Sequence, residues 1–392
     1  MRVIGVVTVG RSDYGIYLPL LRRIEQDPNL DLQLFVSGMH LSPEFGLTVQ
    51  TIERDDFTIV ERVEMLLSSD TPESIAKSMG LGTSGFAQAF ARSRPDILFV
   101  LGDRFEMHAA ALAALPFKIP LAHIHGGELT TGAMDDSLRH SITKLSHLHF
   151  VSTEEYARRV RQLGEEPWRI FKTGALSLDH LKSIKLQSCE ELESEVGLCL
   201  KPPPLVITYH PVSLEYERTP EQVRELLDSL GEFDLPMVFT LPNADPSGRI
   251  VMEMIRGFVR DAPAAVLVEN LGTEKYFSLM AASAAMVGNS SSGLIEAPSF
   301  ELPVVNIGNR QKGRVRAGNV IDVGNSKSEI VHGIQKALDL GFKKTLRGLV
   351  NPYGEGAAAE MIVRFLEKTD VEGCLIPKSF ADLSTSEKEG VR

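Results

Sequence analysis

The sequence predicts an α/β protein built from two doubly wound parallel-sheet domains. Three observations lead there. Short apolar runs alternate with helical patterns along nearly the whole chain, as βαβ units and a parallel sheet require. The alternation comes as two successive sets separated by a charged stretch that ends in prolines. At 392 residues the chain is long enough for two domains of ordinary size.

The first set opens with a strand at Val3–Val9, a helix near Ile16–Gln26 and a strand at Leu32–Val36. A long helical pattern begins at Thr71-Pro72-Glu73, because proline suits a first helical turn, where its missing N–H is not needed. Ile97–Leu101, Leu121–Ile124 and Leu148–Val151 are continuous apolar runs, as expected of strands covered on both faces, and the set closes near Ile170–Thr173. Lys182–Lys201 is charged and helical, and Pro202-Pro203-Pro204 cannot continue a helix. The boundary therefore falls within Ala175–Lys182, giving domains of residues 1–178 and 179–355. The second set runs Leu205–Tyr209, Met237–Leu241, Ala265–Glu269, Ala285–Gly288, Val304–Ile307 and Val320–Val323. Residues 356–370 hold a last helix, Gly356–Lys368, that crosses back to the first domain, and 371–392 form a loose polar tail. Two such sheets facing a cleft would place the C-terminal strand ends, and the ligand, at that cleft.

Composition narrows the function. A net charge of −11 without a basic block argues against nucleic acid or an anionic membrane as partner. No apolar run approaches membrane-spanning length, and Met1–Thr8 lacks a signal-peptide layout. Cys189, Cys199 and Cys374 form neither a close pair nor a metal spacing, so a reducing, cytoplasmic setting is expected. An anionic ligand would have to be held by local arginines, histidines and helix starts.

The stretch Gly288-Asn289-Ser290-Ser291-Ser292-Gly293-Leu294-Ile295-Glu296 offers such a place. It follows the buried run Ala284–Val287 and turns into a helix around Gly293. Free amides at a helix start carry the positive end of the helix dipole, so phosphate fits there, and Glu296 one turn on could take ribose hydroxyls. The same serines would equally serve as plain helix caps. Other polar clusters follow other apolar runs. Gly10-Arg11-Ser12-Asp13-Tyr14-Gly15 offers Arg11 to a phosphate, or is a glycine-bounded turn with a solvated arginine. In Gly102-Asp103-Arg104-Phe105-Glu106, Asp103 is either a helix cap or an acid–base group tuned by its arginine, the reading favoured here, and Glu106 a helix-start carboxylate. In His123-Ile124-His125-Gly126-Gly127-Glu128, alternation puts both histidines on one side, and the glycines would let a substrate approach the backbone. No third ligand at metal spacing accompanies His125 and Glu128, so no metal and no cofactor is expected. Asp135-Asp136 opens the next helix as dipole caps or as a second catalytic carboxylate, with Arg139 and His140 one turn on. His210 ends a strand, and Arg310–Arg316 is a basic loop, either solvated or a phosphate clamp opposite the serine turn.

Taken together and in this order, these motifs, with Arg139–Lys144 and Asn306–Gln311, resemble the hydrolysing UDP-N-acetylglucosamine 2-epimerases of bacterial sialic-acid-type and legionaminic-acid-type sugar synthesis. The resemblance covers about Met1 to Lys368 and implies the glycosyltransferase-B type fold, two Rossmann-like domains facing a cleft. Gly126-Gly127-Glu128 places the chain in the hydrolysing branch, where the non-hydrolysing relatives carry an Ala-Gly-Leu-Arg-type segment. The implied substrate is a UDP-sugar, UDP-N-acetylglucosamine, converted with water to N-acetylmannosamine and UDP through a 2-acetamidoglucal. The alternative is the same reaction on UDP-N,N′-diacetylbacillosamine. By position, Asp103 and Asp135 are implied as acid and base carboxylates with Asp136 in support. Arg11, Arg104, His210, Ser290, Ser291, Ser292, Glu296 and Arg310 are implied in UDP-sugar binding, and a homodimer or homotetramer is implied. The animal form has a catalytic Glu where this chain has His125, so that role passes to His125 or to Glu128. A glycosyltransferase of the same fold and a non-catalytic nucleotide-sugar binder are the rival classes.

Overall fold

The computed structural model describes residues 1–69, 71–130, 134–241, 248–268, 271–368 and 375–382. The chain divides into two compact units, one of Met1–Glu128, Met134–Asp179 and Gly356–Arg392, the other of Leu129–Ala133 and His180–Glu355.

In the first unit the strands are β1 (Arg2–Thr8), β2 (Leu30–Ser37), β3 (Ile59–Val63), β4 (Ile97–Leu101), β5 (Leu121–Ile124), β6 (Leu148–Val151) and β7 (Ile170–Lys172). They form one parallel sheet in the order β3-β2-β1-β4-β5-β6-β7. The central strands are entirely buried, which is why they read as unbroken apolar runs. Strand β3 escapes a sequence reading because it lies at the edge. Its Ile-Val-Glu-Arg-Val mixes charge with β-branched residues, and Glu61 pairs with Arg92 at 2.6 Å. The long helix begins at Pro72, where Thr71 caps it by accepting from the Ser74 amide. The first helix runs Arg11–Gln26, starting earlier than expected, and the helix Ala358–Lys368 packs against it.

In the second unit the strands are β8 (Leu205–Thr208), β9 (Met237–Thr240), β10 (Ala265–Val268), β11 (Ala285–Gly288), β12 (Val304–Ile307) and β13 (Val320–Val323). All pair parallel, in the order β10-β9-β8-β11-β12-β13. Glu269, the expected last residue of the third strand here, lies outside the described residues. The charged stretch before Pro202 contains the helix Cys189–Val196, closed by a capping box at Ser188 and by Gly197 in the left-handed region, so glycine ends it before the prolines are reached.

Each order reverses once, between β1 and β4 and between β8 and β11. Those reversals are where open parallel sheets present their ligand crevices, at the C-terminal strand ends. Among the described residues no helix is long and apolar enough to cross a membrane.

The expectation of a loose tail over 371–392 is corrected for 375–382. Leu375 is fully buried, and Arg169 donates to the Leu375 and Pro377 carbonyls at 2.9 and 2.6 Å. Lys378 donates to the carbonyls of Lys144 and Ser146, at the end of the helix Met134–Leu145, and reaches buried Glu165 at 2.9 Å. Residues 371–374 and 383–392 lie outside the described residues. Burial pushes the Glu165 carboxyl up, but bonds from His149, Lys144 and Lys378 outweigh it and hold the group at about 2 against an ordinary 4.5. A carboxylate so depressed stabilises the fold above pH 4.5 and loses that contribution as pH falls from 4.5 toward 2. Glu165→Gln should therefore cost about 3 kcal/mol at neutral pH, because it leaves partly buried lysines without their counter-charge. Thermal denaturation checks this, and the variant's deficit should shrink as pH approaches 2.

Candidate active site

The polar groups that follow β4, β5 and β6 converge in the first unit. Asp103 does not cap the helix Phe105–Ala114, whose cap position is Arg104. Instead the Asp103 carboxylate takes a charge-assisted bond from Arg139, whose side chain is 4% exposed. The other arm of Arg139 donates to the His125 carbonyl at 2.8 Å and lies 3.9 Å from Glu128. One buried guanidinium thus ties the ends of β4 and β5 to the helix Met134–Leu145. Arg104 turns to Glu106 at 3.2 and 3.3 Å, and Glu106 is fully buried.

His125 leaves the strand with φ of +63°, so strand alternation no longer applies to it. Its amide donates to the Phe150 carbonyl at 3.1 Å. His123 and His125 therefore do different things. His123 is fully buried, with Nε2 2.8 Å from the Gly102 carbonyl and Nδ1 3.1 Å from Thr143, and burial pushes it down to about 3. It is a neutral core histidine. His125 Nδ1 lies 2.7 Å from Glu128 Oε1. The expectation that Gly126 and Gly127 open the backbone to a substrate is corrected. A β-carbon on Gly127, at φ +77°, would lie 2.6 Å from the Tyr156 carbonyl, and one on Gly126 would lie 3.0 Å from His123. These glycines admit the protein's own atoms. Asp135 and Asp136 lie half-buried in the first turn of the helix Met134–Leu145, and Asp136 stands 3.6 Å from His140. Arg11 is exposed at the first helical position after β1.

In the second unit the ends of β8 and β11 are bound by Asn289, a fully buried side chain that reasoning from sequence left aside. Its Oδ1 accepts from the His210 amide at 2.7 Å, and its Nδ2 donates to the His210 carbonyl at 2.8 Å. The His210 imidazole is buried, and burial followed by the nearby Arg310 charge keeps it neutral, well below its ordinary range. The helix after Gly288 is one turn, Ser292–Ile295, followed by a 3₁₀ turn at Ala297–Phe300. So short a helix contributes little macrodipole, and what the turn offers is amides. Those of Gly293, Leu294, Ile295 and Glu296 bond within the turn, and Ser292 N donates to Ser290 Oγ. The Ser290 and Ser291 amides have no acceptor among the described residues. Glu296 is buried one turn on.

The basic loop is corrected as well. Arg314 donates to the Leu129 carbonyl at 2.9 Å, and Arg316 is spent on Asp322 and the Gln311 carbonyl. Arg310 is the arginine of this loop at the serine turn, with an arm 3.1 Å from the Asn289 carbonyl, which Gln311 also reaches at 2.8 Å. If this turn holds a diphosphate, Arg310→Ala should weaken its affinity by tenfold or more, about 1.4 kcal/mol or above, with little change in thermal midpoint. Titration calorimetry with UDP measures it, and unchanged affinity would remove Arg310 from the site.

Two parallel sheets, each with polar clusters at its topological reversal, define a Rossmann-like pair of the glycosyltransferase-B type. The UDP-GlcNAc 2-epimerase of Neisseria meningitidis, solved with UDP-GlcNAc bound, superposes with a TM-score of 0.80 at 20% identity, over 94% of this chain and all of that one. The UDP-N-acetylglucosamine 2-epimerase family pattern matches residues 22–367, and the chain belongs to that family. A Campylobacter jejuni relative named GDP/UDP-N,N′-diacetylbacillosamine 2-epimerase (hydrolyzing) is 40% identical over 97% of this chain and 99% of its own. The polysialic acid biosynthesis protein P7 of Escherichia coli is 38% identical over 94% of each chain.

Proposed function

We propose that this protein is a hydrolysing UDP-N-acetylglucosamine 2-epimerase, converting UDP-N-acetylglucosamine and water to N-acetylmannosamine and UDP. The observation that carries the reading is the Asp103–Arg139–His125–Glu128 cluster in a chain of this family. The C2 proton is removed as the C1–oxygen bond breaks. Its electron pair forms the C1–C2 double bond of a 2-acetamidoglucal, and UDP departs with the C1–oxygen pair. Water then adds at C1, a proton returns to C2 on the other face, and the free sugar leaves.

Asp103 and Asp135 exchange these protons, with Asp136 in support and with His125 or Glu128 in the place of the animal enzyme's glutamate. Arg11, Arg104, His210, the serines Ser290, Ser291 and Ser292, and Arg310 take the UDP portion, and Glu296 takes the ribose. The free Ser290 and Ser291 amides and the Arg310 charge favour the departing diphosphate. The enzyme acts in the cytoplasm as a homodimer or homotetramer.

A proton-NMR time course with UDP-N-acetylglucosamine tests the reaction. Free N-acetylmannosamine and UDP are expected. Sugar transfer only in the presence of an acceptor would make it a glycosyltransferase, and binding without turnover would make it a sensor. A second reading, the same chemistry on UDP-N,N′-diacetylbacillosamine, is favoured by the name of the relative at 40% identity. Turnover of both sugars side by side decides between them.

A further inference from the structure

The bonds around His125 separate two residues that the chemistry alone leaves interchangeable. Glu128 Oε1 lies 2.7 Å from His125 Nδ1 and accepts the Ser152 hydroxyl at 3.1 Å. Ser152 Oγ is itself 3.1 Å from Nδ1, so the three side chains close a triangle. All three are buried, at 6%, 2% and 3% exposure for His125, Glu128 and Ser152. A carboxylate only accepts, so Nδ1 carries its proton toward Glu128 and the Ser152 hydroxyl donates to the same oxygen. The other carboxylate oxygen lies 3.9 Å from the Arg139 guanidinium. Glu128 is thereby committed, while His125 Nε2 is buried without a hydrogen-bond partner among the described residues. The backbone points the same way. His125 holds φ +63°, a costly conformation for a non-glycine residue, pinned by its amide on Phe150 and by Arg139 on its carbonyl. Such over-determined strain with an unspent ring nitrogen marks a group held for chemistry.

We infer that His125 Nε2 takes the C2 proton, and that Glu128 and Ser152, the latter from the end of β6, are positioning residues that hold the imidazole by Nδ1. The inference rests on the proposed function. In the elimination the C2–H bond breaks toward the Nε2 lone pair, its electrons form the C1–C2 double bond, and UDP leaves with the C1–oxygen pair. The resulting imidazolium carries protons on both nitrogens, and the Glu128 carboxyl group faces the Nδ1 proton.

The test uses the full chain with ¹⁵N-labelled histidine, assigned through His125→Gln, beside steady-state turnover of the variants. In its neutral form His125 should show a protonated Nδ1 and a bare Nε2. His125→Gln should lower kcat by about 10²–10⁴-fold. Ser152→Ala and Glu128→Gln should lower kcat by about 10–100-fold with KM nearly unchanged, and should alter the His125 ¹⁵N pattern. A protonated Nε2 with a bare Nδ1 in the parent protein overturns the inference. So does a Glu128→Gln loss equal to that of His125→Gln with the tautomer intact, which would make Glu128 the exchanging group. A parent protein that leaves both UDP-sugars intact overturns the proposed function and the C2 assignment with it, while the ¹⁵N pattern still decides whether Glu128 and Ser152 hold Nδ1.

Discussion

Asp103→Asn is expected to cut turnover by about 10²–10⁴-fold while UDP affinity stays at the parent level. The substitution keeps the side chain's shape and one acceptor for Arg139, but it removes the negative charge and leaves no oxygen able to take up and return a proton. Arg139 keeps its bond to the His125 carbonyl and its proximity to Glu128, so the guanidinium stays anchored. Part of its counter-charge is lost, and a lower thermal midpoint should accompany the kinetic loss. The two effects separate experimentally. Turnover measured well below the midpoint reports the chemistry, and calorimetric titration with UDP reports binding. If the well-folded variant kept near-normal turnover, Asp103 would be only the partner that orients Arg139, and the acid–base role would have to move to Asp135 or Asp136.

The parts of this molecule that could be read in the sequence are those where physics acts on neighbours in the chain. Strands buried on both faces must be continuously apolar, so Ile97–Leu101 and Leu121–Ile124 announce themselves. The edge strand Ile59–Val63 does not, because one side of it meets water and charge is allowed there. The helix at Pro72 is marked by its own cap, whereas the turn at Ser292 looks like the start of a longer helix and stops after four residues. Residues at strand ends were visible as candidates because glycine, acid and histidine gather there. Their alliances were not. Arg139 joins Asp103 to His125 across 36 and 14 positions of sequence, and Ser152 reaches Glu128 across 24. A buried serine or asparagine in a short polar stretch carries no periodic signal. Nothing local distinguishes Ser152 or Asn289 from an ordinary turn residue. Strand alternation pairs His125 with His123 only when it is extended one residue past the strand, where the backbone already enters the left-handed region.

Gly288→Ala tests whether the end of β11 is built as tightly as it looks. Gly288 pairs with Thr208 in the parallel ladder, but with φ of +139° its missing side chain would point along the sheet rather than out of it. A β-carbon there would lie 1.9 Å from the Thr208 carbonyl oxygen and 2.7 Å from its carbon, which is backbone and cannot swing aside. The strain of the conformation and the steric conflict together should cost about 3 kcal/mol or more. The conflict falls between the two strand ends that Asn289 ties together through His210, so separating them pulls the serine turn away from His210. UDP affinity should therefore fall by at least about tenfold even below the unfolding transition. Gly257→Ala is the matched control in the same unit. It makes the same chemical change inside the helix Gly248–Asp261, meets no atom of the described residues within 4 Å outside its own helix backbone and chain neighbours, and should raise the midpoint slightly. A Gly288→Ala protein that melted with the parent and bound UDP as tightly would show that the two strand ends can part without cost, and the serine turn would then have no claim to be a preformed diphosphate site.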